Sequence, residues 1–235
     1  MKKLLTFILG ITLSVWSVTA QTADEIIDKN IKALGGLDKI KSIESVIMEG
    51  KVNANGMEIP MKFMTLKNKA FKMVIEVMGM KGWMSVNKDS GWVFMPFGGG
   101  QTKPEAMTAD QVKESVDQMD LEGELVNYKE KGHTVEYLGM DDVEGTECHK
   151  LKVVTKAANT HYYLIDPTSF HIVRKVSKQK ADGKEYDVQV DFSNYKETES
   201  GFIFPYTIAS QNGPVEMTKI LVNSTIDPSM FEAEK

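Results

Sequence analysis

Thr160-His-Tyr-Tyr-Leu-Ile165-Asp166-Pro167-Thr-Ser-Phe170-His-Ile-Val-Arg174-Lys-Val-Ser177 is the stretch that decides the fold. Tyr162, Tyr163, Leu164 and Ile165 run without a polar break into Asp166-Pro167-Thr168-Ser169, and Ile172, Val173 and Val176 carry an apolar strand back out. An Asp side chain caps a turn backbone and Pro presets φ at its second position, so two strands meet here. Immediately downstream, Tyr186-Asp-Val-Gln-Val-Asp-Phe192 alternates apolar and polar residues with period two, which buries one face and wets the other. The combination predicts a curved antiparallel sheet with an apolar concave face.

Working outward, the same period governs the chain from Ser45. Met48 and Val52, then Met57, Ile59, Met61 and Phe63, then Phe71, Met73, Ile75 and Val77 fall on one face of three successive strands, and Met84 and Val86 continue the pattern. Further strands are expected near Thr134–Gly139, Thr146–Thr155, Phe202–Ser210 and Val215–Val222. About ten antiparallel strands are too many to lie flat, so the fold class is mainly β (α+β), an incomplete β-barrel.

Two helices complete it. Thr22-Ala-Asp-Glu25 fits a capping box, Ile26, Ile27, Ile31 and Leu34 share a helical face, and Gly35-Gly36 is a stop. From about Pro104 to Met119, apolar Met107, Val112, Val116 and Met119 recur three or four apart between charged residues. That predicts an inserted lid helix, tethered by a hinge at Gly98, Gly99 and Gly100. Both helices have only the concave side to pack on.

Lys2 and Lys3, an apolar run from Leu4 to Val18 and Val18-Thr19-Ala20 read as a secretory signal cleaved after Ala20, with no cysteine there for lipid attachment. Residues 21–235 are expected to form one domain. They carry 26 Lys and Arg against 33 Asp and Glu, a net charge of −7, which disfavours nucleic acid and anionic bilayer surfaces. The single cysteine, Cys148, makes no intrachain disulfide, so the fold rests on its core.

No catalytic or metal-binding constellation emerges. His133, His149, His161 and His171 have no ligand spacing with Cys148, and Gly98-Gly-Gly100 lacks the Gly-Lys-Ser/Thr ending of a phosphate loop. Ser193 and Ser210 sit in no nucleophile elbow. Asp187, Gln189 and Asp191 read as a solvated strand face, and Arg174 as a cross-strand ion pair. Fourteen methionines follow the signal, nine of them between Met48 and Met95. Their flexible, polarizable side chains suit either an irregular core or a surface that accepts variable apolar shapes.

With these residues in place, the chain resembles the LolA/LolB-type lipoprotein carrier superfamily and its outer-membrane lipoprotein-sorting relatives. Asp89-Ser-Gly91-Trp92-Val-Phe-Met-Pro96 is similar to its hairpin before the lid. Val135-Glu-Tyr-Leu-Gly139, Gly145 to Leu151 and Tyr163-Leu-Ile-Asp166-Pro167 to Arg174 are similar to its strand, turn and Asp-Pro hairpin. Phe192-Ser-Asn-Tyr195 with Gly201-Phe-Ile-Phe204-Pro205, and Ile226-Asp227-Pro228-Ser-Met-Phe231, complete the match over nearly the whole mature chain.

The resemblance implies a hydrophobic cavity for acyl chains of lipoproteins or other lipids. Its expected lining is Met61, Phe63, Phe71, Met73, Ile75 and Met84 from early strands, Val112 and Val116 from the lid, and Val188, Val190 and Phe204 from late ones. It implies a soluble periplasmic carrier that shuttles its cargo toward the outer membrane. That carrier is a monomer without cofactor or metal, and the resemblance leaves room for membrane-bound donor and acceptor proteins. An envelope-stress sensor or adaptor acting on a membrane partner is the alternative; a hydrolase lacks catalytic residues. Where that family latches its lid with an arginine in an early strand, Leu66-Lys-Asn-Lys-Ala-Phe71 offers Lys67 and Lys69. A lysine is a point donor and not a fork, so the expectation is that the family's clamp is not reproduced.

Overall fold

The computed structural model describes residues 22–54, 56–181, 184–211 and 213–232; the expected signal segment lies outside them. One antiparallel sheet holds thirteen strands: β1 (Ser45–Ala54), β2 (Met57–Leu66), β3 (Ala70–Val77), β4 (Met80–Asn87), β5 (Gly91–Phe94), β6 (Glu105–Ala106), β7 (Thr134–Val143), β8 (Thr146–Val154), β9 (Thr160–Ile165), β10 (Ile172–Ala181), β11 (Lys184–Glu197), β12 (Ile203–Ser210) and β13 (Gly213–Val222). Their spatial order is β6-β5-β4-β3-β2-β1-β13-β12-β11-β10-β9-β8-β7. Every ladder joins neighbours in sequence except the one between β1 and β13. Two meanders therefore meet at the chain's first and last strands, while the sheet's free edges, β6 and β7, come from mid-chain. The sheet does not close.

Cross-strand registry accounts for its two faces. Met48 pairs with Phe63, Phe63 with Met73 and Met73 with Met84, which gives one apolar row across four strands on the face that receives the helices. On the other face, Met64 and Ala70 are covered by Ile226 and Phe231. That C-terminal segment, ending in a 3-10 turn at Pro228–Phe231, is pinned by Lys72 Nζ donating to the Met230 carbonyl (2.9 Å) and Ser85 Oγ donating to that of Phe231 (2.7 Å). At the Asp-Pro hairpin, Asp166 Oδ1 accepts from the amides of Thr168 (3.0 Å) and Ser169 (2.6 Å), as the turn chemistry requires.

Helix α1 (Ala23–Ala33) begins with both capping-box bonds, the Glu25 amide to Thr22 Oγ1 and the Thr22 amide to Glu25 Oε2, each 3.2 Å. It buries Ile26 and Ile27 against Leu151, Val153, Tyr163 and Ile165. Its Asn30 Nδ2 donates to the Phe170 carbonyl (2.6 Å), which ties α1 to the Asp-Pro hairpin. Gly35 and Gly36, at φ +101° and +95°, turn the chain into the short α2 (Leu37–Lys41), which the periodicity did not reveal.

The inserted helix is shorter than its apolar spacing predicts. α3 spans Ala109–Ser115 and tightens into a 3-10 turn at Val116–Met119. Residues 104–108 are not helical: Glu105 and Ala106 form β6 against Val93 and Trp92. A second capping box sets the start, with the Gln111 amide donating to Thr108 Oγ1 and the Thr108 amide to Gln111 Oε1. β6, which falls in the stretch expected to be helical, is one strand by which the count of thirteen exceeds the expected ten or so.

Candidate ligand cavity

α3 lies closed on the early strands. Val112, Val116 and Met119 pack with Phe63, Phe71, Met73, Met84 and Val86, so six of the expected lining residues meet in one cluster. Met61 and Ile75 face each other across β2 and β3, half-buried and nearer the hairpin tips. Val188 and Val190, half-buried on β11, oppose Ser177 and Lys175. Gly98 and Gly99 lie in a 3-10 turn at Phe97–Gly99, with Gly100 after it.

Two interior hollows remain beside the lid. The larger, about 420 Å³, takes apolar walls from Leu34, Ile40 and Ile43 near α2, Leu121 in the loop after the lid, Met48 on β1, and Ile172, Phe192, Phe202 and Phe204 on or beside the late strands. The smaller, about 270 Å³, lies among Val46, Phe63, Phe71, Ile208, Val215 and Met217. Met48 and Leu121 line both. The larger hollow touches Met48 on β1 and Tyr163 on β9, five strand spacings apart, which is about 24 Å in a flat sheet. Only a sheet that wraps round brings both to one cavity of this size.

The loop of residues 120–133 supplies the polar end, and long-range ion pairs fix it there. Lys131 Nζ donates to Asp120 (2.6 Å) and to the Gly123 carbonyl (2.8 Å). Buried Glu124 holds His161 Nδ1 at 2.6 Å and Lys175 Nζ at 2.8 Å. Burial opposes ionisation of Glu124, but the hydrogen bonds and positive charge of His161 and Lys175 outweigh it and bring its pKa down to about 2. Asp117, on the last turn of the lid, also faces the cavity. Desolvation, reinforced by the Glu124 charge, raises its pKa. Asn194, at φ +56°, interrupts β11, and Tyr195 beyond it lines the cavity with its hydroxyl donating to the Ile172 carbonyl (2.8 Å).

The end of the inserted segment is tied to the β2–β3 turn. Lys67 Nζ reaches Glu122 (2.9 Å) and the Lys41 carbonyl (2.7 Å), and the Asn68 amide donates to the Met119 carbonyl (2.9 Å). Lys67 thus takes a single backbone carbonyl, at the end of α2 and not on the lid, while the contact with the lid's last turn comes from the Asn68 amide. Arg174 instead forms the cross-strand pair, at 2.5 and 3.0 Å from Asp191 on the outer side.

Periodicity missed the loop residues Leu121 and Glu124, together with Phe192, Tyr163 and Lys175. Phe192 continues the Val188-Val190 alternation, and Leu121, Leu125 and Tyr128 recur at helical spacing, so those signals were present. A further hollow of about 600 Å³ lies on the opposite side, between Leu66, Ser85, Trp92 and Phe231. It borders the C-terminal segment, whose last residues lie outside those described. Among the described residues no group of three His, Cys, Asp or Glu is placed to hold a metal ion, and no helix is long and apolar enough to cross a membrane.

No protein-family model and no curated protein matches the sequence. Solved structures do match the fold. A candidate outer membrane lipoprotein-sorting protein domain from Vibrio parahaemolyticus is similar at a TM-score of 0.55 and 12% identity, over 88% of this chain and 94% of that one. A LolA superfamily protein from Nitrosomonas europaea gives 0.52 and 13%, over 91% and 98%. A DUF1329 family protein from Desulfovibrio piger gives 0.52 and 10%, again over 91% and 98%. The chain has a LolA-like fold.

Proposed function

We propose that this protein is a carrier that takes an acyl chain of a lipoprotein or another lipid into the cavity between the wrapped sheet and its helices. The single observation that carries the reading is the 420 Å³ apolar hollow, sealed on one side by a latched, inserted segment and placed within a LolA-like fold. Burial contributes ~25 cal/mol per Å² of apolar surface, or roughly 0.8 kcal/mol per methylene. One chain thus binds usefully without a specific headgroup contact. On this reading residues 21–235 act as one unit in the periplasm after loss of the signal, as a monomer, between membrane-bound donor and acceptor proteins.

Met48, Leu121, Phe192 and Phe204 are the wall the chain would lie against. The cluster of Phe63, Phe71, Met73 and Met84 under α3 would become available when the lid lifts at Gly98–Gly100, and Met61, Ile75, Val188 and Val190 would extend it toward the hairpin tips. Release follows from re-seating α3, because the lid side chains and the chain compete for the same apolar surface. The test is lipid extraction and mass spectrometry of protein purified from its native envelope, with uptake of the apolar probe N-phenyl-1-naphthylamine. Co-purified lipid and saturable uptake support the reading; protein that yields no lipid and takes up no probe overturns it. Recovery of a stoichiometric protein partner with no lipid would favour a sensor or adaptor.

A further inference from the structure

We propose that the thioethers of Met48, Met61 and Met217 form a site for a soft monovalent cation, Cu(I), beside the smaller hollow. The site does not depend on whether the cavity carries lipid.

The three side chains surround Gly50. On β1 it stands opposite Met61 of β2 and Met217 of β13, and Met48 is two residues away on the same face. Directly paired residues lie about 5 Å apart and i, i+2 neighbours about 7 Å, distances that methionine side chains span. The register between β1 and β13 shifts at Glu49 and Gly50, an irregularity of the kind that re-aims a side chain. Met217 already reaches over the glycine: a Cβ at Gly50 would lie 3.0 Å from its Sδ and 2.6 Å from the Glu216 carbonyl. Only a bare backbone leaves room for a sulfur at the centre of the group.

The surroundings select the ion. Met48 and Met217 line the 270 Å³ hollow with Phe63, Phe71, Thr65 and Gln118, and among the described residues no charged side chain lines it. Calcium and magnesium call for carboxylates, and zinc for imidazole, thiolate or carboxylate, none of which this wall supplies. Thioethers are soft, uncharged donors that favour Cu(I), whose single charge costs less to desolvate than a double one. Phe63 and Phe71, with ring centroids 6.5 Å apart, place aromatic surface beside them. Met64 and Met119, 2% and 1% exposed, serve as packing, whereas Met48 and Met61 are only half-buried and within reach of an entering ion.

The experiment titrates the purified protein with Cu(I), anaerobically and against the chelator bicinchoninate, and in parallel with Ag(I) while the assigned methyl NMR signals of its methionines are recorded. One Cu(I) per chain is expected, with zinc leaving the signals unmoved. Met48→Leu, Met61→Leu and Met217→Leu keep the apolar volume and remove the sulfur, so each should weaken Cu(I) binding about tenfold or more. Met78→Leu, at the exposed tip between β3 and β4, should leave the affinity unchanged and so separates a local site from methionine content at large. Ag(I) should shift the methyl signals of Met48, Met61 and Met217 in the unsubstituted protein, a readout that stands even where a variant folds poorly. Loss of all Cu(I) to the chelator, an affinity that survives the three substitutions, or shifts spread over the methionines at large overturns the site.

Discussion

The ammonium of Lys67 stands 2.9 Å from the Glu122 carboxylate, with both side chains about 15% exposed, and joins the β2–β3 turn to the segment that follows the lid. The same ammonium donates to the Lys41 carbonyl, so one side chain ties together a turn, a helix end and the loop that forms the cavity's polar end.

Replacing Lys67 with Ala should cost about 1–3 kcal/mol, because it leaves the Lys41 carbonyl without its partner and Glu122 with only the more distant Lys131, in a largely desolvated place. Urea unfolding gives the loss. Stopped-flow uptake of the apolar probe should be faster in the variant, since the lid's far anchor is gone. An unchanged uptake rate would remove Lys67 from the latch.

Glu124 predicts an acid-sensitive loop. Its folded pKa, about 2, lies below the value near 4.5 of an unpaired glutamate, so its stabilisation is fully present above pH 4.5 and is lost as pH falls toward 2. The contribution at neutral pH is on the order of a few kcal/mol. Urea midpoints measured across this window should fall with a proton-linked slope that Glu124→Gln reduces.

Leu121 lines both hollows, so Leu121→Trp should intrude on both and weaken probe binding severalfold, at a stability cost of about 1–3 kcal/mol from overpacking. Probe titration and chemical unfolding of the same sample separate the two effects.

Met119 is buried to 1% in the cluster that seats the lid. Met119→Ala should destabilise by about 2–5 kcal/mol and raise proteolysis within residues 100–123. Arg174→Met, by contrast, breaks an outer cross-strand pair and should cost less than about 1 kcal/mol without altering probe binding.

Strands were legible wherever one face is wet. Met48 and Val52 alternate with Glu49, Lys51 and Asn53, and both capping boxes are written in Thr22–Glu25 and Thr108–Gln111, the second of which marks the true start of α3. The loop of residues 120–133 was not legible, because its place is set by partners far along the chain: Lys67, His161 and Lys175 give it position, and none is its neighbour in sequence. Alternation also assigns Met48, Phe63, Met73 and Met84 to one face without distinguishing the part beneath α3 from the part that lines a hollow. That distinction depends on where the lid rests, which a period of two does not encode. Lys175 illustrates the same limit, since a lysine opposite Tyr163 on an otherwise apolar face has meaning only once Glu124 arrives from another segment.

Because β6 and β7 are the sheet's edges and no ladder among the described residues joins them, the barrel has a seam spanned by the segment that carries α3 and the loop of residues 120–133. Widening this seam breaks no backbone hydrogen bond of the sheet. The interior can therefore change volume without unzipping a ladder, at the cost of the side-chain contacts and the few backbone bonds, such as Asn68 to Met119, that hold the bridging segment down.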